Sequence, residues 1–196
     1  SLLTSTPRLI LLYSWALALA CQLDAAEDLA NHLMRFLPAP CASEQQSLLA
    51  QWLAVSGVIA RGRGDSQRAE LYCSQALAGM PGQHYGSRLL CLSTLANLAM
   101  VRGDLWRARG LNREALELAQ RHDNPLFEAF CRYDRGRVLL ARGEIVRALE
   151  EVRAGLERLR QVLVLGGGGD EDHRQVAQPA TAFCMGGQVV CDDLRH

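Results

Sequence analysis

Two groups of residues near the C-terminus have types that could bind phosphate or a metal. Gly166–Gly169 is a glycine run, but no Gly-Lys-Ser/Thr follows it and no strand clearly precedes it, so we interpret it as a loop. Cys184 and Cys191 would lie about 10.5 Å apart along one helix. Both thiolates could not then reach one zinc ion at about 2.3 Å. The sequence therefore predicts no nucleotide site, no metal and no cofactor.

A cluster of basic residues is the third candidate for chemistry. Its members are Arg132, Arg135, Arg137, Arg142 and Arg147, interrupted by Asp134 and Glu144. A solvated helix face with ion pairs between residues three or four apart is the first interpretation, and an anion site is the alternative. None of the histidines has a serine or cysteine nearby in sequence that would indicate a catalytic triad, so we predict no enzyme.

Composition narrows the possible partners and the compartment. The 196 residues carry 21 basic and 21 acidic side chains, so the net charge is zero and favours neither nucleic acid nor an anionic membrane. The seven cysteines show no C-x-x-C spacing, which favours reduced thiols and a cytoplasmic location over a disulfide framework. Leu9–Cys21 imitates a signal peptide, but it is too short to span a bilayer and fits a buried helix.

The apolar run Leu9–Cys21 and the basic cluster lie within a repeat, which loses its regularity after about residue 162. The segment Arg102–Ala108 recurs as Arg142–Ala148, as Arg63–Ala69 and, in a worn copy, as Cys21–Ala26. The final alanines are 43, 39 and 40 residues apart. A period of about 40 made of apolar helical segments is typical of an array of helix pairs. We therefore predict an all-α protein, a right-handed α-α superhelix of helix pairs. The combination of a small residue, a glycine turn and an alanine in the second helix resembles the tetratricopeptide repeat.

Each repeat specifies how two helices meet. Its glycine ends one helix, and the acidic residue that follows can cap the next helix at its positive dipole end. Small residues twelve positions before each alanine allow two antiparallel helices to approach to about 8–10 Å. The expected contacts are Ser14 with Ala26, Gly57 with Ala69, Ala96 with Ala108, and Gly136 with Ala148.

The pattern predicts one domain over residues 1–196. Helix pairs are expected at about 7–37, 43–79, 87–121 and 125–162, followed by a loop over 163–178 and a partial fifth pair over 179–196. Asp24 to Glu27 form a potential capping box for the second helix. Arg132 and Arg135 stand at positions that are usually apolar, which leaves the register of the seventh helix open.

The repeats resemble a known family of regulators. Thr6-Pro7-Arg8-Leu9 with Trp15, Leu23–Glu27, and Arg102–Leu105 through Ala115–Ala119 look like the helical sensor region of the large ATP-binding LuxR-type regulators. In that family the region binds an inducer or a regulatory protein and takes part in oligomerisation. The resemblance covers residues 6–162. Neither the nucleotide-binding motif nor the DNA-reading helix of the family is present, so the resemblance implies DNA binding only through a separate domain.

Function is expected on the concave face that the first helices of the pairs would line. Counting from the small positions places a mixed set of polar, basic and aromatic side chains there: Trp15, Arg61, Ser93, Asn97, Met100, Tyr133 and Arg137. Apolar walls with a few polar groups suit a small ligand or a peptide. For each of these residues, a purely structural role remains the alternative.

Two functions compete on this sequence. The first is a cytoplasmic domain that senses a small-molecule inducer or a regulatory protein for a LuxR-type transcriptional regulator. The second is a freestanding scaffold that binds a partner protein or peptide in its concave groove. An unfinished fifth pair would leave an apolar end exposed, so self-association is also expected.

Overall fold

Eight α-helices make up the described part of the chain, and no strand occurs in it. The computed structural model describes residues 6–36 and 43–166. Its helices are α1 (Pro7–Leu19), α2 (Leu23–Leu33), α3 (Ser43–Gly62), α4 (Ser66–Gly79), α5 (Tyr85–Val101), α6 (Leu105–Arg121), α7 (Pro125–Ala141) and α8 (Ile145–Gly166), with a 3₁₀ turn at Met34–Phe36. The prediction of an all-α chain of paired helices is confirmed, and the pairing agrees with a solenoid-like fold.

The first of two compact units contains α1 to α4. Helix α1 packs against α2, α3 against α4, and α2 against α3. Ile10, Leu33 and Val55 lie at the centre of its core. The Trp52 Nε1 donates a hydrogen bond to the Ala30 carbonyl at 3.0 Å and ties α3 to α2. The second helix of one pair therefore contacts the first helix of the next.

The second unit contains α5 to α8 and repeats this arrangement. Helix α5 packs against α6, α6 against α7, and α7 against α8. Every residue from Leu89 to Ala99 is buried, although polar side chains are among them. The Asn112 Nδ2 donates to the Cys131 carbonyl at 3.1 Å, linking α6 to α7 as Trp52 links α3 to α2.

Small residues occupy the crossing points of the pairs. A Cβ added at Gly57 would stand 2.5 Å from the Cys73 Sγ and 3.4 Å from the Ala69 carbonyl oxygen. A Cβ at Gly136 would stand 3.3 Å from the Ala148 carbonyl oxygen. Both expected contacts are thus observed, and neither crossing has room for a larger side chain. Ser14 is fully buried and donates to the Ile10 carbonyl at 2.8 Å, which satisfies its hydroxyl.

The turns within the pairs need a left-handed residue. Gly64, Gly103 and Gly143 have φ near +80°, and Cys21 takes the same role in the first pair with φ of 59°. A residue with a Cβ is strained there, whereas glycine is not. Two of the acidic residues after the glycines act as caps: the Asp65 and Asp104 carboxylates accept from backbone N–H groups three residues later at 3.0 Å.

Some details differ from the sequence interpretation. Asp24 is not a cap, because α2 already begins at Leu23 and Asp24 instead pairs with Arg63, in the turn that follows α3. Helix α8 continues to Gly166, past the predicted start of the loop at 163. Cys73, Cys91 and Cys131 are buried thiols, but Cys21 is disulfide-bonded, which corrects the expectation of reduced thiols at that position. The expected fifth pair over 179–196 lies outside the described residues.

Within residues 6–36 and 43–166, no helix combines the length and the apolar character that a bilayer span requires.

Replacement of Gly57 by leucine tests the crossing. We expect Gly57→Leu to lower the free energy of unfolding by about 1–3 kcal/mol through overpacking against α4. Gly110→Leu is the matched control, because Gly110 also lies inside a helix but has open space around its Cβ position. That control should gain up to about 1 kcal/mol from helix propensity. Chemical denaturation measures both, and equal effects would contradict the role of Gly57.

Candidate functional site

The predicted groove residues fall in both units. Trp15 is partly buried and packs against the core formed by α1, α2 and α3, so its ring contributes to folding. Arg61 lies at the end of α3 and is partly buried. Ser93, Asn97 and Met100 belong to α5, and Tyr133 and Arg137 belong to α7. The second unit therefore contains five of the seven residues.

Asn97 and Arg137 meet at the contact between α5 and α7. The Arg137 Nη1 donates to the Asn97 Oδ1 at 2.6 Å, and it lies 3.4 Å from an Asp134 carboxylate oxygen. The Asn97 Nδ2 donates to the other Asp134 oxygen at 3.3 Å and to the Ser93 carbonyl at 3.1 Å. An amide, a carboxylate and a guanidinium thus form one connected cluster, the Asn97–Asp134–Arg137 cluster.

The members of this cluster differ in exposure. Asp134 and Asn97 are buried, whereas the Arg137 side chain keeps 26% of its surface accessible. Met100 packs beside Val138 and Ala108. The cavity between Asn97, Met100 and Asp134 has a volume near 10 Å³, which is about the space that one water requires. Arg137 is therefore the accessible member of the cluster, and the interior has room for no more than about one water.

Asp134 is the member that the sequence interpretation missed. It appeared there only as an interruption of a basic cluster. Its spacing of three residues from Arg137 was the available signal, because residues three apart share one face of a helix. The contact with Asn97, 37 residues away, had no signal in the repeat pattern.

The basic cluster predicted as a solvated face is largely used inside the unit. Arg132 pairs with Glu128 at 3.0 Å along α7 and with Glu151 of α8 at 3.1 Å. Arg135 lies 3.3 Å from the same Glu151 carboxylate. Both arginines reach Glu151 of the neighbouring helix, so these ion pairs take the place of apolar contacts. The sequence had left the register of this helix open, and α7 runs from Pro125 to Ala141.

Glu128 is the buried centre of these ion pairs. Burial alone would raise its pKa, but hydrogen bonds from Arg132, Gln120 and Arg158, together with the charge of Arg132, outweigh burial and hold the pKa of Glu128 below its usual value. Arg158 also contacts Asp123, at the turn before α7. The carboxylate is therefore ionised in the folded protein and joins α7 to α8.

The described residues include the buried thiol of Cys131. Burial, with the charges of Asp134 and Glu128, raises the pKa of the Cys131 thiol to about 12, so this thiol is neutral and a poor nucleophile. Within the ranges 6–36 and 43–166, no three His, Cys, Asp or Glu side chains come together to hold a metal ion. The arrangement of polar groups is suited to hydrogen bonding and ion pairing.

The fold and these contacts define a class of protein. Antiparallel helices that cross at small residues within each pair form an α-α repeat protein of solenoid-like build. Proteins of this class use their repeated surfaces for binding.

Comparison with known proteins narrows the class. The chain is 23% identical over 160 residues to the HTH-type transcriptional regulator MalT of Yersinia pestis (strain Pestoides F), covering 82% of this chain and 18% of that protein. The MalT of Serratia proteamaculans (strain 568) is 22% identical over 159 residues, again with 18% of its length covered. No family model matches the sequence, and no solved structure matches the chain. This distant similarity supports a domain related to a transcriptional regulator.

Removal of the Asp134 carboxylate tests the cluster. Asp134→Ala leaves the Asn97 amide and the Arg137 guanidinium without this acceptor, and we expect a loss of about 1–3 kcal/mol in the free energy of unfolding. A double-mutant cycle with Arg137→Ala should give a coupling energy above about 0.5 kcal/mol. The exposed pair Glu157 and Arg160 provides the control cycle, where no measurable coupling is expected. Zero coupling between Asp134 and Arg137 would contradict the cluster.

The pH dependence of stability tests Glu128. Its pKa is depressed in the folded state, so its contribution is complete above the unfolded value of about 4.3 and is lost as the pH falls through the folded value. We expect Glu128→Gln to be less stable than the parent protein near pH 7 and to approach it below about pH 4. Denaturation across pH 3–8 measures this, with the exposed Glu117→Gln as a control for the substitution. A difference that stays constant with pH would contradict the assignment.

Proposed function

We propose that this chain is a ligand-sensing and protein-interaction domain of a LuxR-type transcriptional regulator. The observation that carries the proposal is the similarity to MalT, which extends over 82% of this chain. The helix-pair fold agrees with such a role, since repeat surfaces bind ligands and partners. DNA binding and nucleotide hydrolysis would belong to other parts of such a regulator.

The binding surface proposed for sensing is the α5 and α7 face. Arg137 supplies donors there, and Met100 and Tyr133 supply partly exposed apolar surface. Asn97 and Ser93 of α5 are buried behind them, and Asn97 holds Arg137 in place through its Oδ1. Tyr133 and Arg137 are four residues apart and therefore share one face of α7. A ligand with a hydrogen-bond acceptor and an apolar part matches this combination.

The cluster also suggests how binding could be transmitted. Arg137 is shared between Asn97 of α5 and Asp134 of α7, so a ligand acceptor that draws the guanidinium outward would weaken the link between the two helices. The helices would then settle at a different spacing. A ligand shifts such an equilibrium only by its difference in affinity for the two arrangements.

Trp15 and Arg61 are proposed as part of a separate binding surface on the first unit. Trp15 contributes mainly to the core, which leaves Arg61 as the residue to test there.

Self-association stays a prediction, and a cytoplasmic location is proposed with the regulator role. The alternative is a freestanding scaffold that binds a partner protein or peptide. The gene distinguishes the two functions, because a regulator requires a nucleotide-binding module and a helix-turn-helix module in the same protein and a scaffold does not.

A thermal-shift screen of small metabolites tests the sensing role. A ligand present at 100 times its dissociation constant should add about 2.7 kcal/mol to stability. We expect Arg137→Ala to remove most of this gain, while Arg160→Ala, an exposed arginine of α8, should leave it unchanged. Arg61→Ala reports separately on the first unit. A ligand whose effect survives both Arg137→Ala and Arg61→Ala would refute the groove but not sensing.

A further inference from the structure

Two clefts in the molecule occupy equivalent positions of the repeat. The first lies between α2, α3 and α4 and has a volume near 80 Å³; the second lies between α6, α7 and α8 and has a volume near 190 Å³. The turn residues Arg63, Asp65 and Arg68 line the first cleft, and their counterparts two repeats later line the second: Arg142, Glu144 and Arg147. The repeat therefore builds the same cleft twice.

In the first cleft the turn arginine is neutralised by the preceding helix. The Arg63 Nη2 lies 2.6 Å from the Asp24 Oδ1 and 2.7 Å from the Glu27 Oε2, and both acids belong to α2. Two carboxylates thus meet one guanidinium at the mouth of the cleft. Charge-assisted hydrogen bonds of this kind are about twice as strong as neutral ones.

In the second cleft the preceding helix carries different residues. Ala26 of α2 corresponds to Ala108 of α6, so Trp106 and Arg109 take the places of Asp24 and Glu27. The Arg109 guanidinium lies 5.9 Å from the centre of the Trp106 ring, in a cation–π contact. A ring and a second positive charge therefore take the sequence positions of the two carboxylates. Of these two residues, Arg109 lines the second cleft together with the turn arginine Arg142.

The acids that line the second cleft do not replace the missing pair. Glu144 is held at 2.8 Å by the Arg142 Nε and at 2.6 Å by the Arg147 Nη1, and Glu151 is held by Arg135 and Arg132. Glu150 also lines the cleft. Four arginines face three glutamates in this lining, whereas the first cleft has two arginines and two acids. The balance of charge has moved towards positive.

The pKa of Glu144 reflects the same local charge. A hydrogen bond from Arg147, with the charges of Arg142, Arg147 and Arg109, holds the pKa of Glu144 below its usual value despite partial loss of water. Arg109 of α6 and the turn arginines of α7 and α8 therefore act on one point. An acceptor oxygen brought to this point would meet several guanidinium donors.

We propose that the cleft between α6, α7 and α8 binds a small oxyanion, whose oxygens lie beside Arg142 and Arg109 as the Asp24 and Glu27 carboxylates lie beside Arg63. Phosphate and carboxylate groups both match the planar donor fork of arginine. A volume near 190 Å³ is below the roughly 300–1,000 Å³ of pockets that hold drug-sized ligands. Inorganic phosphate, a phosphate ester of a small molecule or a short dicarboxylate therefore fits, and a whole nucleotide does not.

Calorimetric titration of the full chain with inorganic phosphate tests the proposal, with succinate as a second arm to compare a dicarboxylate. Ionic strength is held constant with sodium chloride. We expect saturable binding that weakens about tenfold or more in Arg109→Ala and Arg142→Ala, because each removes a charged donor. Arg113→Ala is the matched control one turn further along α6, where the side chain is 75% exposed. Equal weakening in this control, or no saturable binding of either anion, would overturn the proposal.

Charge reversal at Arg109 gives a second, sharper test. Arg109→Glu recreates the residue type of Glu27, so its carboxylate should pair with Arg142 and fill the place of the anion. We expect loss of phosphate binding while the melting temperature stays at or above that of the parent protein. Phosphate binding that persists in Arg109→Glu would overturn the site. Arg137→Ala should bind phosphate normally, which separates this site from the α5 and α7 face proposed for sensing.

Discussion

The close approach of two helices at a small residue is the constraint on which the structure depends. At Gly57 the neighbouring helix comes so near that even a methyl group would contact Cys73, and at Gly136 the space is nearly as small. This approach fixes the spacing within each pair. Within each unit, the second helix of one pair then packs against the first helix of the next pair. Each cleft lies where that second helix faces the turn inside the following pair.

Charged and polar side chains act as a second layer of contacts across helices. Arg63 reaches two acids of α2, Arg132 reaches Glu151 of α8, and Arg137 reaches Asn97 of α5. Exposed pairs contribute little to stability, but partly buried pairs cost more to break because a charge would be left without its partner. These ion pairs and hydrogen bonds therefore set the orientation of helices that are already close together. They also hold the arginine side chains that are proposed to bind ligands.

The sequence predicted the parts of the fold that rest on short-range rules. Glycine turns, the acidic caps Asp65 and Asp104, and the small residues at the crossings all lie within one repeat, where spacing alone identifies them. The register of α7 was left open because arginine at an apolar position contradicts the pattern, and only contact with Glu151 explains it. The role of Asp134 was also missed because its partner lies on another helix. Its partner Asn97 lies in the preceding pair, and no local pattern records which polar side chain meets which across a crossing.

Cys21 occupies the turn position at which the other three repeats have glycine. The turn geometry is retained at φ of 59° although the glycine is absent, so the surrounding contacts impose a conformation that the residue itself disfavours. The turn conformation of the repeat is thus kept in the first pair although its turn residue is not glycine.

The recurrence of the cleft has an evolutionary consequence. Its walls come from positions that every pair must have, whereas its charge depends on exposed positions such as Glu27 and Arg109 that the core does not restrict. One substitution at such a position could change a cleft whose arginine is paired with acids into a binding site for a different molecule. The fold of the repeats would stay the same. Duplication of helix pairs would then produce several such clefts, and substitutions in each cleft could give it a different ligand specificity.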